Sequence, residues 1–204
     1  YIGPIFTAFR GSQACVVYYQ VLHKEVEYRV ANGLGPITPD GTLKEEKFRL
    51  VVEGPPNWTH FRNFWKIFYD MGAVFVASSY TKVGGLYDEG FRHSPEDALG
   101  SLAEYCLGCY TNRNLPQRVD MLDNWITKYQ ANGFLVNSIK SCNSFSAGQL
   151  VIMRELERRL EIPVGFIETD LVDPRYYSFS NIKNRLDSFF QMLEQRTLYT
   201  GITS

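Results

Sequence analysis

Cysteine and histidine are scarce in this chain, at four and three residues of 204. His60 and His93 have no partner at metal-ligand spacing, so neither supports a histidine-based metal site. Excess charge is also missing. A net charge of -1 gives no electrostatic case for nucleic acid or an anionic membrane surface. No apolar stretch approaches the ~20 residues of a membrane span. The N-terminus lacks the charged and apolar regions of a secretion signal, and a cytoplasmic location is expected. There is no GxGxxG and no Walker loop, which argues against a classical dinucleotide or P-loop site. Internal repeats and low-complexity tracts are absent as well.

Hydrophobic residues make up 45% of the chain and charged ones 21%, ordinary for a globular protein. Aromatic content of 15% suits a well-filled core or an aromatic pocket. Residues 12–32 read as an amphipathic helix, with Val16, Tyr19, Leu22, Val26 and Val30 recurring at spacings of three and four. Cys15 falls on that stripe and reads as core. Gly35-Pro36 through Asp40-Gly41 reads as a linker turn. Residues 1–45 thus resemble the middle of a helix-and-linker region. The expectation is a C-terminal part of a longer chain, with 1–45 connecting to a missing N-terminal domain and 46–204 forming one α/β domain.

From Phe48 onward, short apolar runs alternate with helical periods. Runs at 48–52, 73–77, 134–139 and 163–167 read as strands. Helices are expected from Asn57 or Thr59 to about Met71, over 96–107, from Leu115 to about Tyr129, over 147–160 through Leu150, Met153, Leu156 and Leu160, and over 178–195. Strands alternating with helices of 12–18 residues imply βαβ units and a parallel sheet covered on both faces.

In such sheets ligands bind outside the carboxyl ends of the strands. Four loops should meet there: 53–58, 78–85, 140–149 and 168–175. Cys142 leads the candidates, because Lys140, Ser141, Asn143 and Ser144 surround it and a helix follows at once. A thiol in such a setting suits a ligand or a reactive group. The other reading is a partly buried loop cysteine without a role. Cys106-Leu107-Gly108-Cys109 is a CxxC, a spacing at which two thiolates reach one metal centre; two incidental thiols at a helix end is the alternative. Asn57 and Trp58, after Gly54-Pro55-Pro56, either line a pocket or form a turn whose Trp packs on the next helix. Lys82 with Gly84-Gly85 either contacts phosphate or lies in a solvated loop. Glu168, Asp170 and Asp173 either do acid–base work or cap and turn the chain.

Taken in order, Leu50-Val51-Val52-Glu53-Gly54-Pro55-Pro56-Asn57-Trp58, residues 74–85, 106–118 and 134–148, and Ile162-Pro163-Val164-Gly165-Phe166-Ile167-Glu168-Thr169-Asp170 resemble the 2-hydroxyacyl-CoA dehydratase D-component family. That family includes the benzoyl-CoA reductase subunits. The likeness runs from about residue 10 to 196. Asn137-Ser138-Ile139-Lys140-Ser141-Cys142-Asn143-Ser144-Phe145-Ser146 is most similar to the reductase branch.

The resemblance implies flavodoxin-like domains and a 4Fe-4S cluster held by cysteines of two domains. Cys142 falls where the family places its C-terminal-domain ligand. Cys106 and Cys109 sit at a Cys-containing stretch of relatives, and Thr81 stands where some relatives carry Cys. Also implied are a homologous Fe–S subunit, a separate ATP-hydrolysing activator, an acyl-CoA substrate, and a part in anaerobic aromatic degradation, with no nucleic acid or membrane partner. Three functions follow as expectations. They are an iron–sulfur subunit of an ATP-dependent acyl-CoA reductase, a 2-hydroxyacyl-CoA dehydratase subunit, and a flavodoxin-like binding module without a cluster.

Overall fold

The computed structural model describes residues 9, 11–37, 41–81 and 90–202. The chain divides into two compact units, Tyr1–Glu46 and Lys47–Ser204.

The first unit holds helix α1 (Gln13–Ala31) and a two-stranded antiparallel hairpin, β1 (Leu34–Ile37) and β2 (Leu43–Glu45). Ser12 caps α1 by accepting the Cys15 amide at 3.2 Å. The hairpin takes the place of the expected linker turn. No described residue of α1 is buried. The expected core position of Cys15 is therefore corrected to half-buried, and Val16, Val26 and Val30 are exposed. A short hairpin cannot cover a stripe that runs along 19 residues of helix.

In the second unit, β3 (Phe48–Glu53), β4 (Ala73–Ser78), β5 (Gly133–Ile139) and β6 (Val164–Thr169) form one parallel sheet in the order β4-β3-β5-β6. Helices α2 (Phe61–Asp70), α3 (Ala98–Leu107), α4 (Leu115–Lys128), α5 (Asn143–Ser146), α6 (Gln149–Leu160) and α7 (Phe179–Ile202) connect and flank it. The alternation within strands decides the layers. Phe48, Leu50, Val52, Leu135 and Ile167 pack with Phe64, Ile67 and Phe68 of α2 and with Ile182, Leu186, Phe189, Phe190 and Leu193 of α7. Val51, Phe134 and Val136 face the other way, against Val119, Leu122, Trp125 and Ile126 of α4 and Ile152 and Leu156 of α6. The sheet is thus covered on both faces, as near-continuous apolar strands require.

On helix α6 the expected stripe holds at Leu156, which is buried, and at Met153 and Leu160, which pack on the same core cluster. Gln149, Ile152 and Leu156 are its buried residues, and Leu150 is exposed. Gly148, at φ +83°, separates α5 from α6 and restarts the helix at Gln149. A Cβ on Gly148 would lie 2.3 Å from Leu115 Cδ2.

The chain runs β3, then outward to β4, then back across β3 to β5. The strand order therefore reverses between β3 and β5, the flavodoxin-like switch point where α/β sheets open a crevice. Gly54, directly after β3, has φ +108°, and a Cβ there would lie 2.1 Å from the Asn137 carbonyl oxygen of β5. Only glycine permits both the backbone angle and the approach. Gly54→Ala is expected to destabilise the domain by more than about 2 kcal/mol. A thermal midpoint equal to that of the parent would contradict this close approach.

Candidate functional site

The loops at the carboxyl edge are stitched together by hydrogen bonds. Asn137 Nδ2 donates to Pro55 O at 2.6 Å, and Thr169 Oγ1 donates to Asn137 Oδ1 at 2.9 Å. Gly54 N–H donates to Ser79 Oγ at 3.0 Å. Asn57 is fully buried; its Nδ2 donates to Asp170 O at 2.9 Å, and its Oδ1 accepts from the His60 amide at 2.8 Å. Asn57 is therefore a tie between two loops, and α2 begins at Phe61 beyond that turn. Trp58 is half exposed and stacks on Phe61 at 5.4 Å, so it packs on the following helix. Asp170 accepts amides from Ser141 (3.2 Å), Val172 (3.2 Å) and Asp173 (3.1 Å). Ser141 above all, with these backbone donors, holds its carboxyl below the usual range. Asp170 is thus a turn-former here, as carboxylates that accept several amides are.

Cys142 follows β5 by three residues and is half-buried against the α4–α6 core cluster. Its backbone oxygen accepts the amides of Phe145 (3.2 Å) and Ser146 (2.9 Å), so α5 starts immediately after it. Ser141, Asn143 and Ser144 are exposed beside it, while Phe145 turns into the core. Lys140 Nζ lies 3.9 Å from Glu168 Oε1 and 5.0 Å from the Tyr176 ring centroid. Both ends of that ion pair are solvent-exposed, where such pairs contribute little.

Cys106 is exposed near the end of α3, and Cys109 is half-buried. Burial, first, and neighbouring Cys106 push the Cys109 thiol up. Thr81 donates to Ser78 O at 3.0 Å. Lys82, Gly84 and Gly85 lie outside the described residues. Among the described residues no three His, Cys, Asp or Glu side chains come together as a metal site.

Sequence reasoning passed over a buried polar cluster beneath the Cys142 loop. Glu53, the last residue of β3, is fully buried. It accepts from Tyr110 Oη at 3.2 Å and from Gln149 Nε2. Arg118 lies over the Tyr110 ring at 5.1 Å and donates to Ser144 O (3.1 Å) and Thr111 O (2.8 Å). The available signal was a glutamate ending an apolar strand before Gly-Pro-Pro, together with a Gln opening a helix. Burial pushes the Glu53 carboxyl up to about 7, against the pull of Gln149, Tyr110 and Arg118.

A family model described as 2-hydroxyglutaryl-CoA dehydratase, D-component, matches residues 1–193. The chain belongs to this family. Among its curated relatives, a benzoyl-CoA reductase subunit from Thauera aromatica is 69% identical over 96% of this chain and 45% of that protein. The (R)-2-hydroxyisocaproyl-CoA dehydratase alpha subunit of Clostridioides difficile is 21% identical, again over 96% of this chain and 45% of that protein. The alpha subunit of (R)-2-hydroxyglutaryl-CoA dehydratase from Acidaminococcus fermentans is 24% identical over 95% of this chain and 38% of that protein. The chain spans under half the length of these relatives. Among the described residues no helix is long and apolar enough to cross a membrane.

Two outcomes follow from the geometry. Asn57→Ala strands the Asp170 carbonyl and the His60 amide, and should cost about 1–3 kcal/mol; an unchanged thermal midpoint would contradict its role as a tie. For Glu53 the folded state keeps a proton that the unfolded chain releases at ordinary acidity. Its contribution is full below about pH 4.5 and is lost as pH rises through about 7, a difference of about 3 kcal/mol. Glu53→Gln should remove that component, so the stability of the variant rises relative to the parent, by up to about 3 kcal/mol, from pH 5 to pH 8. A constant gap would place the Glu53 carboxyl at its ordinary acidity.

Proposed function

We propose that this protein is an iron–sulfur subunit of an ATP-dependent acyl-CoA reductase of the benzoyl-CoA reductase kind. It would serve the delivery of low-potential electrons to an aromatic acyl-CoA thioester. The observation that carries this reading is the 69% identity to a benzoyl-CoA reductase subunit across nearly the whole chain. Dehydratase alpha subunits on the same family scaffold reach 21% and 24%.

The donor set fits one ligand of a cluster and no more. Cys142 offers a single half-buried thiol at the carboxyl edge of β5, and no group of three or more His, Cys, Asp or Glu side chains forms a metal site among the described residues. The remaining ligands are assigned to the part of the protein outside this chain, and Cys106 and Cys109 are left as structural thiols. When bound, a 4Fe-4S cluster supplies electrons at potentials reaching toward about -700 mV, the range an aromatic thioester demands.

The residues of this chain would hold and tune such a group. Cys142 would bind it, and exposed Ser141, Asn143 and Ser144 would offer hydrogen bonds to its sulfurs, which raise the potential. Phe145 and the core beneath it keep water from one side of the site. ATP hydrolysis is assigned to a separate activator, and a homologous Fe–S subunit completes the enzyme in the cytoplasm. The second reading is a 2-hydroxyacyl-CoA dehydratase subunit, favoured by the dehydratase name of the family; it keeps the same residue roles and ends in loss of water.

The test uses the full-length protein with its partner subunit, purified without oxygen. Iron and acid-labile sulfide should be near four per copy of this protein, the content of one cubane. Cys142→Ser should lose them, and Cys106→Ser and Cys109→Ser should keep them. Turnover of benzoyl-CoA against a 2-hydroxyacyl-CoA then separates reductase from dehydratase. Folded protein without iron in parent and variant alike would leave a cluster-free binding module.

A further inference from the structure

The Cys142 loop is gripped from beneath at three points, all converging on the buried cluster around Glu53. Arg118 holds Ser144 O at 3.1 Å. Tyr110, bonded to Glu53, stacks on Phe145 with ring centroids 5.7 Å apart and planes 20° apart. Gln149, the first residue after the loop, contacts Glu53 directly. Phe145 and Gln149 are themselves buried, so the loop cannot shift without disturbing the carboxyl.

One polar atom in this cluster lacks a partner: the buried amide oxygen Gln149 Oε1. An unsatisfied buried acceptor is costly. An ionised Glu53 can only accept, and so cannot serve it. Both hydrogen bonds that reach the Glu53 carboxyl are donated to it, by Gln149 Nε2 and Tyr110 Oη, and its full burial sets the cost of charging it.

We propose that Glu53 is a positioning residue that latches the Cys142 loop through Gln149 and Tyr110. Buried Glu53 keeps residues 142–149 closed, and their opening becomes easier as the pH rises toward its midpoint. The importance of this for the cluster rests on the reading of Cys142 as a ligand; the latch itself does not. The titratable and charged side chains acting on Glu53 are Tyr110 and Arg118. Both favour its ionised form, and burial outweighs them. An opening that lets water reach Glu53 restores its ordinary acidity, so linkage makes opening easier as pH rises.

Hydrogen exchange of backbone amides 143–150, corrected for intrinsic rates, tests the latch in the full-length protein with its partner subunit. The Cys142→Ser background is used beside the parent so that iron cannot pin the loop. In that background, protection should fall by up to about tenfold per pH unit between about pH 4.5 and the midpoint near 7, and level off above it. Adding Glu53→Gln should leave protection independent of pH. Tyr110→Phe removes a donor to the carboxylate and should move the midpoint upward; it serves equally if the Glu53 variant fails to fold. A flat profile in Cys142→Ser, an unchanged slope in Glu53→Gln, or an unmoved midpoint in Tyr110→Phe would each overturn the latch. Iron content of the parent, measured on the same samples, reports separately on the Cys142 reading.

Discussion

The carboxyl edge of this sheet depends on Asn137. Its backbone oxygen faces Gly54 so closely that no side chain fits between β3 and β5 there. Its side-chain amide spans the loop after β3 at Pro55 and the end of β6 at Thr169. A buried amide in mid-sheet is tolerated only with such partners. With them, it fixes where three strands end and hence where the crevice opens. Asn57 and Asp170 continue the same stitching one layer further out, between the loops after β3, β5 and β6.

Upon this edge sits the Cys142 segment. Residues 140–149 leave β5, make a single helical turn after Cys142, and restart as α6 beyond Gly148. The sheet supplies a fixed base and the short turn keeps Cys142 at the surface. Arg118, Tyr110 and Glu53 hold the turn from below. Precision in a ligand loop comes from such supporting residues more than from the ligand itself.

Much of this was legible from the residues. Apolar runs at 48–52, 73–77 and 134–139 lie in parallel strands and the run at 163–167 enters the fourth from Val164, because each is too short for a helix and ends at turn chemistry. The α7 stripe of Ile182, Leu186, Phe189 and Leu193 is buried as the period implies. The α1 stripe was equally periodic and is not buried, since periodicity marks a face and does not supply a partner for it. The Gly35–Gly41 turn hid a hairpin because its strands are only three and four residues long. At the site, topology brought the loops of Asn57, Cys142 and Asp170 together. The Glu53 cluster was not legible, because Tyr110, Arg118 and Gln149 come from three separate elements with no shared motif. Of the two readings of Asn57 and Trp58, the turn is the one observed: Asn57 ties two loops, and Trp58 stacks on Phe61 of the next helix.

We propose above all that the loop after β5, at the carboxyl edge of the sheet, presents Cys142 to an iron centre. Anomalous diffraction at the iron edge, from crystals of the full-length complex grown without oxygen, tests it most directly. The account predicts an iron peak bonded to Cys142 Sγ at the carboxyl edge of the sheet. Iron elsewhere in the complex with Cys142 Sγ unbound would contradict it.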